Sequence, residues 1–305
     1  MLSEDVRAEL AGIDPKRRCD QLAEVSALFH TAGSLHLRGH GDVSLHLDLI
    51  SSGVARRAFS LLRALGVDSE IRTYRRHAFG KETRYQLHIA GTEEALVAFR
   101  EGGVISAGRS PLERPPRRLV GKRCCRAAYL RGALLGAGSL SGLRSPHLEV
   151  RCATLESAEF LAWAVGLEQV QLRVRERPRF AVAYAKGAER IADALALAGA
   201  ADIALAIEEH AVVGSARSRA NRLANADHAN LVRASTAAHA QLEAIRELER
   251  ADSLRRLPVR LREIADLRRR HPSLSLSELA VKCRPPTTKA SAHRRLSKLI
   301  ELAGR

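Results

Sequence analysis

Between residues 287 and 298 the chain sets out Thr287, Thr288, Lys289, Ser291, His293, Arg294, Arg295 and Lys298. Hydroxyls and imidazole donate and accept hydrogen bonds; ammonium and guanidinium groups donate and carry charge. A guanidinium fork matches the O6/N7 edge of guanine, and each of the cations suits a phosphate oxygen. Interleaved with them, Ala292, Leu296, Leu299, Ile300 and Ala303 recur at helical intervals. The spacing predicts an amphipathic helix capped by Thr287 or Thr288 and running to about residue 302. Lys289, Ser291 and His293 are the candidates for base edges; Arg294, Arg295 and Lys298 are candidates for bases or phosphates. An ordinary solvated helix carries similar charges, so the neighbouring elements decide between the two readings.

Upstream, Leu261, Ile264, Ala265 and Leu267 predict a helix over 258–270. Pro258 is tolerated at its start, and His271-Pro272 ends it. Ser275 or Ser277 caps a short second helix through 279–283, and both hydroxyls join the candidate contacts. Arg284-Pro285-Pro286 must break that helix. Three helices in this order form a helix-turn-helix, in which the N-terminal residues of the last helix enter the major groove. The Pro-Pro turn departs from the shorter, Gly-containing turn of many such units. A further polar run, Arg217, Arg219, Asn221, Arg222, Asn225 and Asn230, suits contact with DNA or a partner, or a polar network between domains.

Charge points the same way. Lys and Arg number 50 against 34 acids, a net of +16. Residues 212–305 carry 20 basic and 9 acidic side chains, whereas 1–211 carry 30 and 25. A concentrated surplus favours a polyanion, because it displaces condensed counterions; a GC-rich genome is the second source of an arginine excess. Hydrophobic residues make up 46%, enough to fill cores.

Cys19, Cys124, Cys125, Cys152 and Cys283 show no C-x-x-C spacing, which reads as reduced thiols rather than a disulfide frame or zinc site. His30, His36, His46 and His88 read as ordinary surface or core histidines. No metal or cofactor is expected. The N-terminus lacks an apolar signal region, and the most apolar stretch, 191–207, is interrupted by Asp193 and Asp202. A cytoplasmic, nucleoid-associated chain with double-stranded DNA and no membrane as partner is the expectation.

What positions the reading element is an internal duplication. Ala32-Gly33-Ser34-Leu35 and Ala137-Gly138-Ser139-Leu140 each end a helical stretch. Alternating apolar residues follow: Val43, Leu45, Leu47 and Leu49, then Leu148, Val150 and Cys152. Helical patterns over 54–65 and 155–165 each stop at a glycine. Further strands (84–89 and 179–184) and closing helices from Thr92 and Gly187 complete αββαββα twice. The fold class is therefore α+β, a duplicated region followed by an all-α unit. Its divisions are 1–101, a Pro- and Gly-rich linker over 102–121, a second half over 122–200, a connecting helical segment over 201–250, and 251–305. The halves are expected to pack along their first helices, with Gly132, Gly136 and Gly138 allowing close approach.

The duplicated pattern resembles the two-repeat LAGLIDADG homing-endonuclease fold. In that family an acid precedes the glycine ending each first helix and holds catalytic metal. Ala32 and Ala137 stand at those positions and cannot ligate one. The runs Asn221-Arg222-Leu223-Ala224-Asn225, Gln241-Leu242-Glu243-Ala244-Ile245 and Pro285-Pro286-Thr287-Thr288-Lys289 are similar to the WhiA family of sporulation transcription regulators, as is Leu130 through Ser139. The resemblance implies a degenerate LAGLIDADG-like region joined to a helix-turn-helix, with no enzyme activity. It also implies a role in transcription, cell division, chromosome segregation and sporulation, with another transcription factor or RNA polymerase as protein partners. An active metal-dependent endonuclease and a protein-interaction scaffold on the chromosome are the alternatives.

Overall fold

A computed structural model describes residues 2–37, 43–75 and 83–304. It divides into two compact units, Met1–Gly214 and Ser215–Arg305.

In the first unit the αββαββα order appears twice. One half runs α2 (Arg18–Ala32), β1 (Gly33–Leu37), β2 (Val43–Leu49), α3 (Ser52–Ala64), β3 (Glu70–Arg75), β4 (Thr83–Ala90) and α4 (Glu93–Glu101). The other runs α5 (Arg123–Ala137), β5 (Gly138–Ser141), β6 (His147–Cys152), α6 (Leu155–Gly166), β7 (Arg173–Arg177), β8 (Phe180–Lys186) and α7 (Ala188–Ala198). Each half holds an antiparallel sheet, ordered β1-β2-β4-β3 and β5-β6-β8-β7. The alternation read from sequence is a true inside face. Leu45, Leu47 and Leu49, like Leu148, Val150 and Cys152, are almost wholly buried, while period two sends the intervening side chains to the other face.

The halves meet along α2 and α5, and two glycines permit it. A Cβ on Gly132 would stand 2.2 Å from the Glu24 carbonyl oxygen, and one on Gly136 would stand 2.2 Å from the Thr31 hydroxyl. Gly138 acts differently: its nearest neighbours are atoms of Leu134 in its own chain segment, so it shapes the exit from α5 rather than the crossing. Gly132→Ala is expected to cost about 1–3 kcal/mol, because backbone rather than a side-chain tip blocks the methyl. Gly166→Ala, with nothing within 4 Å, is expected to be neutral or to stabilise by up to about 1 kcal/mol. Urea unfolding of the two variants checks the contrast.

One ion cluster joins three helices at this seam. The Glu24 carboxylate, fully buried on α2, accepts from Arg57 of α3 at 2.9 and 3.2 Å and from Arg131 of α5 at 2.8 Å. Arg131 also donates to the Ala198 carbonyl at 3.1 Å.

The segment 102–121 connects the halves but is not a loose tether. Ile105 bridges to Pro111, a 3-10 turn forms at Arg117–Val120, and Ile105 and Val120 are buried in the common core. Before the duplication lies α1 (Leu2–Ala11), absent from the sequence reading. Arg7 on it donates to the Gly138 carbonyl at 2.8 Å, and the Glu9 carboxylate accepts from the backbone of Asp202 and Ile203.

A single helix, α8 (Ala201–Arg250), follows, and the boundary between units falls within it. The second unit adds α9 (Val259–Arg270), α10 (Leu276–Lys282) and α11 (Lys289–Ala303). These pack around Ile245 and Leu248 of α8, Ile264 and Ala265, Leu279 and Ala280, and Ala292, Leu296 and Leu299. No described helix is long and apolar enough to cross a membrane.

Candidate nucleic-acid interface

Local signals build the second unit. Ser275 closes a full capping box: its hydroxyl accepts from the Glu278 backbone at 3.3 Å, and the Glu278 carboxylate accepts from the Ser275 backbone at 2.8 Å. Hydrogen bonding to the Glu278 carboxyl from the Ser275 side chain, then from the Ser275 backbone N–H, holds it below its usual range. Ser277 lies inside α10 with its side chain exposed. Of the two threonines, Thr288 is the cap, accepting from Ser291 at 3.2 Å. Thr287 instead bridges the Pro-Pro turn, its N–H donating to the Ala280 carbonyl at 2.9 Å. The Arg284 N–H is held by the Glu263 carboxylate.

The first turn has its own clamp. Arg268 is buried, at 3% exposure, and donates to the carbonyls of Pro272 and Leu274 at 3.2 and 2.7 Å. Burial lowers the pKa of its guanidinium. Its only signal in the sequence is position, one turn beyond Ile264 on the apolar face.

On α11, Ala292, Leu296 and Leu299 are buried to 0% exposure. Ile300, expected on that face, is 39% exposed; a 100° step from Leu299 carries it off the seam. The candidate contacts divide into two rows. Ser291, Arg294, Arg295 and Lys298 follow i, i+3, i+4 and i+7 spacing and form one stripe away from the core. Lys289 and His293 form a second row at i, i+4. Lys289, His293, Arg294 and Lys298 are exposed, and Ser291 and Arg295 are half-exposed. Lys298 pairs with Glu301 at 2.8 Å, a solvated contact of little energetic weight.

The polar run on α8 is exposed throughout, from Arg217 through Asn230. Arg222 donates to the Ser218 hydroxyl at 2.6 Å, and the Asn230 side-chain oxygen accepts from Arg233 at 2.6 Å. These are neighbours on one helix, so the run is not a buried network. Helical spacing puts Arg217, Asn221 and Asn225 on one face, with Arg219 and Asn230 elsewhere.

In the first unit, Ala32 and Ala137 end α2 and α5 beside the crossing; a Cβ on Gly136 would lie 3.5 Å from that of Ala32. Only methyl groups occupy these two positions, and neither supplies an oxygen for a metal. The solvent-side faces of the two sheets differ. Register sets His36 beside Ser44, and His46 beside His88. His88 Nδ1 lies 2.9 Å from His46 Nε2, and the His36 and His46 rings stack at 4.3 Å. Burial, then the neighbouring His36 and His88, lowers the His46 pKa. His30 is a core histidine bonded to the Ser26 carbonyl at 2.7 Å. The second sheet sets Arg151, Val182 and Arg175 in one row and Glu149, Tyr184 and Arg173 in another. Arg151 stacks on Phe180 with its guanidinium carbon 4.4 Å from the ring centroid. This arginine-rich face is not among the sites expected from sequence; its signal there is the period-two spacing of Arg173 and Arg175 and of Glu149 and Arg151.

Three of the cysteines are not isolated thiols. Cys19, Asp20, Cys124 and Cys125 converge with their ligand atoms all within 4.8 Å of one another. The two adjacent pairs, Cys19-Asp20 and Cys124-Cys125, are remote from each other in sequence, which is why spacing gave no sign of the cluster.

This architecture belongs to a class: a duplicated LAGLIDADG-like region followed by a helix-turn-helix unit. Family models match in that order, the WhiA N-terminal LAGLIDADG-like domain over residues 18–99, the WhiA LAGLIDADG-like domain over 126–217 and the WhiA C-terminal HTH domain over 220–303. The chain belongs to the WhiA family. The probable cell division protein WhiA of Heliobacterium modesticaldum is 34% identical to it, over 99% of this chain and 95% of that one. The protein of that name from Symbiobacterium thermophilum is 34% identical over 98% and 96%. The crystal structure of full-length WhiA from Thermatoga maritima shares the fold, with a TM-score of 0.58 at 22% identity, covering 99% of this chain and 97% of that one.

Proposed function

We propose that this protein is a sequence-specific, DNA-binding transcription regulator without nuclease activity, acting in cell division, chromosome segregation and, in spore formers, sporulation. The observation that carries this reading is the stripe Ser291, Arg294, Arg295 and Lys298, directed away from the buried seam of α11. Residues 251–305 read double-stranded DNA, with Ser275, Thr287 and Thr288 at the turns and Ser277 in the first turn of α10 supplying hydroxyls to phosphates. The halves over 1–101 and 122–200, joined by 102–121, and the helical segment over 201–250 supply a second surface. Arg217, Asn221 and Asn225 on that segment suit DNA or a protein such as another transcription factor or RNA polymerase. Its place of action is the nucleoid.

Chromatin immunoprecipitation with sequencing tests the reading, with discrete sites sharing a motif as the expected result. Uniform occupancy without a motif counts against it. Supercoiled plasmid is expected to stay intact with magnesium, since Ala32 and Ala137 offer no carboxylate for a metal-bound water. Nicking that a chelator abolishes revives the endonuclease alternative.

A further inference from the structure

The central helices begin as they end, in register. With Arg17 and Lys122 as their N-caps, Cys19 and Cys124 are second residues, and Asp20 and Cys125 third residues, of α2 and α5. The four side chains are therefore equivalents in the duplication, and the helix crossing brings them together. We propose that Cys19, Asp20, Cys124 and Cys125 form a zinc site clipping the two halves at the start of α2 and α5.

The distances suit one ion. Cys124 Sγ and Cys125 Sγ are 3.9 Å apart, and Cys19 Sγ lies 3.4 Å from the Asp20 carboxylate. A tetrahedron with Zn–S near 2.3 Å and Zn–O near 2.1 Å has edges of about 3.8 Å between sulfurs and about 3.6 Å from sulfur to oxygen. The surroundings suit it too. Cys125 is buried, while Cys19, Asp20 and Cys124 are half-buried. An open cleft of about 500 Å³, lined by Arg17, Lys122, Arg123 and Cys124, gives an entry path. Neither helix start has a side-chain cap, so backbone N–H groups there remain to face the bound sulfurs. Burial raises the pKa of the Cys19 and Cys125 thiols in the metal-free chain, and the charge of the ion is what releases their protons. Three thiolates and one carboxylate around Zn2+ leave a local charge of −2, which Arg17 and Lys122 oppose. A sulfur-rich tetrahedral set selects zinc over magnesium or calcium. Binding makes three sulfur–metal bonds and one oxygen–metal bond, releases the three thiol protons to solvent and changes no oxidation state.

The test uses the full-length reduced chain. After zinc loading and desalting, elemental analysis is expected to find about one zinc per chain. Cobalt in place of zinc is expected to show a sulfur-to-metal charge-transfer band and tetrahedral visible bands. Cys19→Ser with Cys124→Ser is expected to lose both, while Cys283→Ser in the other unit keeps both. Asp20→Asn is expected to keep the charge-transfer band and shift the visible ones, which distinguishes lost ligation from lost folding. A reduced wild-type chain that takes up neither metal overturns the site. Zinc retained at full stoichiometry by the double serine variant does so as well.

Discussion

Replacing Arg294 and Arg295 together by alanine is expected to lower specific DNA affinity on the order of 10²–10⁴-fold, since each good arginine–base pair is worth about 1–3 kcal/mol. The loss is one of contact, not of folding: Ala292, Leu296 and Leu299 hold α11 to the core, and Thr288 still caps it. Fluorescence anisotropy on a recovered binding site, at one fixed salt concentration, measures the loss; circular dichroism checks the helix. If the two arginines meet phosphates instead, affinity falls for every sequence alike. The slope of log K against log salt then flattens by about 0.9 per lost contact. Unchanged specific affinity removes α11 from the role assigned to it.

Glu24→Ala is expected to destabilise the first unit by about 3–5 kcal/mol, the range for removing one partner of a buried ion pair. The reason is what stays behind: Arg57 and Arg131, 6% and 7% exposed, retain their charge without a buried counterion. Asp14, 3.6 Å from Arg57, is itself largely in water and compensates little. Such a loss is a large part of a domain's usual margin of about 5–15 kcal/mol. Urea denaturation followed at the single tryptophan, Trp163 on α6, reports it. A variant within about 1 kcal/mol of wild type contradicts the account. Replacing all three by apolar residues of similar volume is the informative companion, since buried ion clusters add less net stability than their removal suggests.

These two predictions differ in how legible their residues were. Much in the second unit that depends on local order was readable, although the 3-10 turn at Leu254–Arg256 was not and Ile300 fell off the expected face. The break at Pro285-Pro286, the short α10 and a serine or threonine before each of the last two helix starts all follow from backbone chemistry within a few residues. Choosing Ser275 over Ser277, and Thr288 over Thr287, needed the Glu278 carboxylate and the Ala280 carbonyl as observed partners. The duplication was equally plain, since one pattern occurs twice. Even α1 left a trace, with Leu2, Val6 and Leu10 one turn apart. Illegible were the partnerships across the helix crossing. Nothing near Glu24 announces Arg131, and nothing near Cys19 announces Cys124, because such pairs exist only once α2 and α5 have met. Arg268 is a milder case, as its apolar position was visible but its carbonyl partners were not.

That crossing also imposes an order of events on synthesis. The face of α2 that carries Ala23, Ala27 and Leu28 is buried in the finished protein, and α5 is its principal cover. Roughly a hundred residues separate the end of one helix from the end of the other. At about 5–20 residues per second, the ribosome leaves that sticky helix waiting on the order of 5–20 s. A nascent chain in this interval is a natural client for chaperones, and a chain truncated before α5 is expected to aggregate rather than yield a soluble half.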